Sequence, residues 1–292
     1  MKNERFDRNI RFFGIEGQER IASTKVTAVG GGGLGCHLVQ QLALLGTRDL
    51  TVIDSEDLAE TDRNRNVCAR ASDPVPGSWK TDLCERLILA IDPDIRVTKI
   101  PETLVSEAAF RAIIEADYVF GCLDSEGGRL VLTELCSAYA RPYFDLATDI
   151  TEGERLRYGG RVCFASGVGI GCLVCRDELD LAEARAELGG PEFRQMTKQI
   201  YGMDRELIGE KGPSVVSING VIASLAVTEF AVLVSGIRSP NVLLKYYGHR
   251  GTVVVNNDPP HPDCYYCSEV RGQREKADVE RYIRECVGAY LK

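Results

Sequence analysis

A glycine-rich turn, three cations and four paired cysteines carry the chemistry legible in this chain. Gly30-Gly31-Gly32-Gly33-Leu34-Gly35 follows a compact apolar run from Lys25 to Val29. It opens a stretch in which Leu34, Leu38, Leu42 and Leu45 recur at helical spacing. Strand, glycine turn and helix in that order bring backbone N–H groups to the positive end of a helix dipole, where a phosphate binds. Gly30, Gly32, Gly33 and Gly35 are therefore candidate phosphate contacts. Asp54 ends the next apolar run, nineteen residues beyond Gly35, where an acid accepts hydrogen bonds from ribose hydroxyls. Together these residues define a nucleotide site without choosing the nucleotide.

The cations make the choice. Arg63 and Arg65 follow Asp54 in the segment Asp62-Arg63-Asn64-Arg65-Asn66, and Lys80 starts the next helical stretch. Beyond the carboxyl end of a strand, where open α/β sheets bind ligands, they suit a triphosphate better than a nicotinamide. Taken singly, each reads as a solvated surface charge. A nicotinamide-dependent oxidoreductase is the alternative: it uses the glycine turn and Asp54 and leaves the cations without a purpose.

Cys172/Cys175 and Cys264/Cys267 form two C-x-x-C pairs. Two such pairs supply the four thiolates of a tetrahedral zinc site, and a closed Cys₄ shell makes the zinc structural. The metal would tie the region near 172 to the segment near 264. The other seven cysteines, Cys36, Cys68, Cys84, Cys122, Cys136, Cys163 and Cys286, are expected to be isolated, small, buried residues. An odd total of 11 fits a reducing compartment, so a cytoplasmic location is expected.

The chain that must position these groups has 292 residues, 44% hydrophobic and 27% charged, which excludes a disordered protein. A net charge of −8 weighs against nucleic acid as a partner. No uninterrupted run of apolar residues is long enough to span a membrane, and the charged start Met1 to Arg5 leads into no apolar stretch of a signal peptide. No membrane partner is expected.

Strand-like segments at 25–30, 50–54, 95–100, 117–121 and 142–146 alternate with helical patterns at 34–46, 80–91, 107–114 and 129–140. That alternation predicts an α/β fold, a Rossmann-like doubly wound and mostly parallel sheet. After residue 150 the rhythm changes: a strand at 157–165 and one or two strands within 242–255 predict an antiparallel continuation. A buried helix is expected at 215–235, and a long polar crossover at 177–213. Two short helices around Gly14 to Gly17 are expected within 5–24. A stripe from Val279 to Leu291 predicts a C-terminal helix. With no repeat or linker, residues 1–270 read as a single domain that includes the 5–24 arm and the crossover, followed by a C-terminal helix within 271–292.

With these residues in hand, the chain resembles the adenylating enzymes of the ThiF/MoeB/HesA type, the catalytic core of ubiquitin-activating enzymes, over about residues 5–270. The opening Arg5-Phe-Asp-Arg8-Asn9 matches, as does Val29-Gly-Gly-Gly-Gly-Leu-Gly-Cys36. Asp54 falls on the ribose-binding acid, Asn64-Arg65-Asn66 on a phosphate-loop segment and Lys80 on the phosphate lysine. Cys122-Leu123-Asp124-Ser125 falls on the segment whose aspartate holds magnesium, and the C-x-x-C pairs fall on the structural zinc.

The resemblance implies attack by a carboxylate on the α-phosphate of ATP, giving an acyl-adenylate. Arg65 and Lys80 would neutralise phosphates, Asp124 would hold Mg²⁺, and Arg8 would reach the site of a partner subunit in a homodimer. Asp124 has a second possible role as a helix N-cap. The implied substrate is a peptide or ubiquitin-like protein with a C-terminal carboxylate. A tRNA-modifying relative is opposed by the acidic charge. A non-catalytic partner subunit is opposed by the presence of Arg65, Lys80 and Asp124.

Departures from the family pattern also carry information. Asp62 stands where Asn is usual, Asn66 where Gln is usual, and Ser125 where Asn is usual. Gly209 stands where many members carry the cysteine that accepts the activated carboxyl, and no cysteine occurs between Arg176 and Cys264. Cys163 reads as a core residue. Adenylation without an enzyme thioester is therefore expected.

Overall fold

The computed structural model describes residues 4–151, 156–166, 169–189 and 212–285. Five parallel strands come first: β1 (Lys25–Val29), β2 (Asp49–Ile53), β3 (Arg96–Ile100), β4 (Tyr118–Gly121) and β5 (Tyr143–Thr151). Three antiparallel strands continue the same sheet: β6 (Arg157–Ala165), β7 (Leu243–Tyr247) and β8 (Thr252–Asn256). The spatial order is β3-β2-β1-β4-β5-β6-β7-β8. Val29 pairs with Ile53 on one side and Gly121 on the other, so β1, β2 and β4 end level. This register brings Gly30, Asp54 and Cys122 to one edge of the sheet.

The helices are α1 (Asp7–Ser23), α2 (Gly33–Leu45), α3 (Lys80–Ile91), α4 (Glu107–Glu115), α5 (Glu126–Ala138), α6 (Leu181–Leu188) and α7 (Val216–Ser235). The first is two helical segments joined at Gly14, whose φ of 75° an L side chain adopts only with strain. The break is confined to Gly14. Gly17 lies inside the second segment, where a Cβ would stand 3.0 Å from the Cβ of Ser235 and so lets α1 approach α7 closely.

Two cores cover the two faces of the sheet's central strands, as the short, mostly apolar runs of a parallel sheet require. On one face α2, α3 and α7 bury Leu38, Leu42, Ile88, Ile222 and Phe230. On the other, α4 and α5 bury Phe110, Ile113, Val131 and Leu135. Phe120, Phe144 and Phe164 lie opposite one another on β4, β5 and β6. Their centroids are 5.0 and 4.6 Å apart, and Phe230 of α7 closes on Phe120 at 5.6 Å. Cross-strand aromatic contacts of this kind fix register as well as burying area.

By length and hydropathy α7 alone among the described helices meets the criterion for a membrane span. It is not an uninterrupted apolar run, because Asn219 and Glu229 among other polar residues break it. In the fold α7 is a core helix, with Ile222, Ala226 and Phe230 fully buried.

Helix α5 begins at Glu126, three residues before the sequence pattern places it, because the Oγ of Ser125 caps it by accepting from the Gly128 N–H at 3.2 Å. Of the C-terminal helix, the turn Arg281–Glu285 is described, and Tyr282 docks it by donating to Glu134 of α5 at 2.8 Å. Of the crossover, α6 is described; residues 190–211, with Gly209, lie outside the described residues, as does Cys286.

Candidate nucleotide site and metal centre

The glycine turn is built by close approach. Gly30 has φ 100°, and a Cβ there would meet the carbonyl oxygen of Cys122 at 2.6 Å. This oxygen belongs to the residue after β4, so Cys122 abuts the turn through its backbone. The first helical bond of α2 runs from the Cys36 N–H to the Gly32 carbonyl at 3.0 Å. The amides of Gly33, Leu34 and Gly35 therefore sit in the first turn, outside the helical ladder.

Asp54 braces the turn. One carboxylate oxygen accepts from the Gly31 N–H at 2.6 Å and the other from the Glu56 N–H at 2.8 Å. Each oxygen keeps a second lone pair for a further donor. Burial pushes the Asp54 carboxyl up, against the opposing pull of Lys80 and the two amides.

Lys80 opens α3 and reaches the same place. A short antiparallel bridge joins Asp57 to Trp79, and the Lys80 N–H donates to the Glu56 carbonyl at 3.1 Å. The Lys80 side chain is 4% exposed; its Nζ lies 2.5 Å from Glu56 Oε2 and 3.4 Å from Asp62 Oδ2. Burial works against the ammonium, and Glu56, Asp54 and Asp62 outweigh it, so its pKa lies above that of a free lysine. Arg65 is held by Asp62 at 2.7 Å and by the Thr61 carbonyl. Its stem passes the start of α2, with Cδ 3.2 Å from where a Gly33 Cβ would stand.

Asn64 is exposed beside Arg65. Asn66 is buried and fastens the loop, donating to the Gly31 carbonyl at 3.3 Å and accepting from the Cys68 N–H at 3.0 Å. Arg63 does not face the turn: it donates to the carbonyls of Arg70 and Asp73 at 2.7 and 2.8 Å and pairs with Glu60. Its role is to hold the loop.

Asp124 is exposed after β4, at the same sheet edge. The capping role considered for it belongs to Ser125. The Leu123 carbonyl accepts from Arg129 at 2.6 Å, which fixes the turn before α5. Arg8 is not brought to the site. It is exposed on α1, and its neighbour Asn9 donates to the Leu45 carbonyl at the far end of α2. Twelve helical rises of α2 separate the two ends by about 18 Å.

Two neighbours of the turn, Glu56 and Asn219, were not singled out from sequence, and Asp62 was noted there only as a departure from the family pattern. Glu56 and Asp62 hold Lys80, as described. Asn219 of α7 is 1% exposed, and its Nδ2 lies 2.5 Å from where a Gly33 Cβ would stand. The available signal was an amide side chain inside a mostly apolar helix. The expectation of isolated cysteines also fails here: Cys68 Sγ lies 3.9 Å from Cys84 Sγ, and Cys36 Sγ accepts from the Val67 N–H at 3.4 Å. Cys163 is fully buried, and burial pushes its thiol up to about 12, as befits a core residue.

The cysteine pairs converge as expected. The sulfur atoms of Cys172, Cys175, Cys264 and Cys267 all lie within 4.8 Å of one another. Cys172 to Cys264 measures 3.6 Å, and Cys175 lies 3.8 Å from both Cys172 and Cys267. A tetrahedron with Zn–S bonds of about 2.3 Å has edges of about 3.8 Å, so the set fits zinc.

A glycine turn with an acid and two cations beside it, at the carboxyl edge of a sheet in the order 3-2-1-4-5, defines a Rossmann-type fold. The chain belongs to the ThiF family, whose pattern matches residues 6–266. It is 27% identical over 215 residues to the molybdopterin-synthase adenylyltransferase of Escherichia coli, covering 70% of this chain and 85% of that one. It is 28% identical over 153 residues to the adenylyltransferase and sulfurtransferase MOCS3 of Drosophila virilis, covering 51% of this chain and 31% of that protein. Among solved structures, Escherichia coli MccB with AMPCPP and MccA shares the fold at TM-score 0.72 and 19% identity, covering 92% of this chain and 75% of that one.

Proposed function

We propose that this protein uses ATP to adenylate the C-terminal carboxylate of a peptide or ubiquitin-like protein. The observation that carries the reading is the pair Arg65 and Lys80, both held by Asp62 beside a glycine turn braced by Asp54. A cofactor site for a nicotinamide has no use for that pair. The names of the relatives support the same reaction class, and the MccB structure holds an ATP analogue and MccA.

The chemistry asks little covalent work of the protein. The substrate carboxylate is ionised at neutral pH and attacks the α-phosphorus; the bond to the bridging oxygen breaks and pyrophosphate leaves. Catalysis is positioning plus charge neutralisation. The α2 amides and Gly30 to Gly35 receive phosphate, Asp54 accepts from the ribose, and Asn64, Cys122 and Leu123 border the nucleotide. Arg65 and Lys80 offset the charge on the leaving group. Asp124 is the residue that would hold Mg²⁺, whose charge screens the phosphates.

Arg8 is exposed on α1, beside the far end of α2 from the glycine turn, which supports its service in the site of a partner subunit and hence a homodimer. The stretch from Arg176 to Cys264 lacks a cysteine, so the adenylate passes onward without an enzyme thioester.

The test is ATP–pyrophosphate exchange with Mg²⁺ and fractions of small proteins and peptides from the source cell. Exchange that depends on one fraction and falls at least a hundredfold in Asp124→Ala is the expected result. Binding of NAD in place of ATP would overturn the reading, and so would exchange unaffected by Asp124→Ala.

A further inference from the structure

Asp62 departs from the family pattern, and the structure gives that departure a position. It is 5% exposed. Its Oδ1 accepts from Arg65 Nη2 at 2.7 Å, while its Oδ2 accepts from the Ala59 N–H at 3.0 Å and lies 3.4 Å from Lys80 Nζ. A single carboxylate, fixed by the backbone, therefore joins both cations assigned to the phosphates. Glu56 takes Lys80 from another direction at 2.5 Å.

The formal charge of the cluster follows. Arg65 and Lys80 contribute +2, and Asp54, Glu56 and Asp62 contribute −3, so the sum is 2 − 3 = −1. A triphosphate entering this site meets preset donors and no net positive charge. Asp62 cannot swing aside to relieve the repulsion without abandoning the Ala59 amide and leaving a buried carboxylate unpaired, which is costly.

Resting on the adenylation reading above, we infer that Asp62 is a positioning residue with two separable effects. Its hydrogen bonds preset Arg65 and Lys80. Its charge weakens the hold of those cations on ground-state ATP and on departing pyrophosphate alike. Tight binding of the ground state does not speed the chemical step, and tight binding of the product slows turnover. A carboxylate between the cations keeps their geometry while sparing the enzyme both penalties.

The full-length chain and its Asp62→Asn and Asp62→Ala variants, each checked for folding by thermal melting, are titrated calorimetrically with ATP–Mg²⁺ and with pyrophosphate–Mg²⁺. Asparagine keeps an acceptor for Arg65 and removes the charge. Asp62→Asn is expected to bind both ligands about tenfold more tightly, the scale of one unit charge several ångströms away in a partly screened site. The gain shrinks as ionic strength rises. In the exchange assay the KM for ATP falls while kcat stays level or falls. Asp62→Ala loses orientation as well, and its kcat drops further. If asparagine prevents folding, Asp62→Ser, with a short neutral acceptor, carries the same expectation.

Unchanged or weaker binding in the folded neutral variants overturns the inference and leaves the adenylation reading standing. Failure of the folded wild type to bind ATP overturns both.

Discussion

A Cβ on Gly35 would stand 1.8 Å from the carbonyl oxygen of Gly30, so the first turn of α2 lies directly on the end of β1. That approach aims the free amides of the helix at the space above the turn. Gly35→Ala must push helix and strand apart, at a cost of about 3 kcal/mol or more. The expected outcome is a lower melting temperature and at least a tenfold loss in ATP affinity by calorimetry. Gly32 is the control. A Cβ there meets nothing within 4 Å, so Gly32→Ala should melt like the wild type. Equal losses in the two variants would show that the contact does not organise the site.

The Cys₄ set joins residues 92 positions apart, Cys172 to Cys264 and Cys175 to Cys267. Metal bound there closes a loop that contains β7, β8 and α7, so its free energy of binding is also folding free energy. The purified protein is expected to carry one zinc per chain. Cys264→Ser should lose it and unfold several degrees lower, with a chelator producing the same shift in the wild type. Full stability in a zinc-free protein would remove the metal from the fold.

How far the sequence reached depended on whether a feature is local. The central parallel strands were legible because a strand covered on both faces is a short, mostly apolar run, as Val26, Ala28 and Val29 of β1 show. The glycine turn and Asp54 were legible because strand register puts them at one edge, and that register follows from the alternation of strands and helices. The roles of Asp62 and Asn219 were not legible, because each is defined by what surrounds a buried polar group: Lys80 lies eighteen residues beyond Asp62, and Gly33 faces Asn219 from another helix. The gathering of Cys36, Cys68 and Cys84 was hidden for the same reason, since three elements converge to make it. Asp124 was the cap considered from sequence; the structure gives that role to its neighbour Ser125, a shift of one residue that the sequence pattern does not resolve.

Asp145 is fully buried on β5 and meets three partners: the Tyr143 hydroxyl at 2.7 Å, the Arg161 guanidinium, and Arg129 Nε at 3.5 Å. Burial works to raise its pKa, and Arg161 and Arg129 outweigh it and hold the carboxyl below its ordinary value. Arg161→Ala strands that charge. A loss of about 3–5 kcal/mol in urea unfolding is expected, as when one partner is removed from a buried pair. Adding Asp145→Asn should recover part of that loss, because the stranded charge is gone. A double variant no more stable than Arg161→Ala would mean that the packing of Arg161, rather than its charge, supplies the stability.

The loop that carries Arg65 is latched to α3 by Asp73, and this latch should be sensitive to acid. Arg86 grips the Asp73 carboxylate with two bonds of 2.6 and 2.8 Å, and the Arg70 N–H donates to it at 2.6 Å. The Arg86 bond, against the effect of burial, pulls the carboxyl down from 3.8 to about 2. A carboxylate whose pKa is depressed by folding stabilises the native state above its unfolded pKa and loses that contribution as pH falls toward the folded value. The latch therefore contributes fully at neutral pH and fades from about pH 4 to about 2. Asp73→Asn removes the titration. The stability gap between wild type and variant, from urea unfolding at a series of pH values, should be widest at neutral pH and close through that window. A gap that stays constant into acid would show that Asp73 acts through packing and neutral hydrogen bonds alone, and that acid releases the Arg65 loop, if at all, through some other carboxylate.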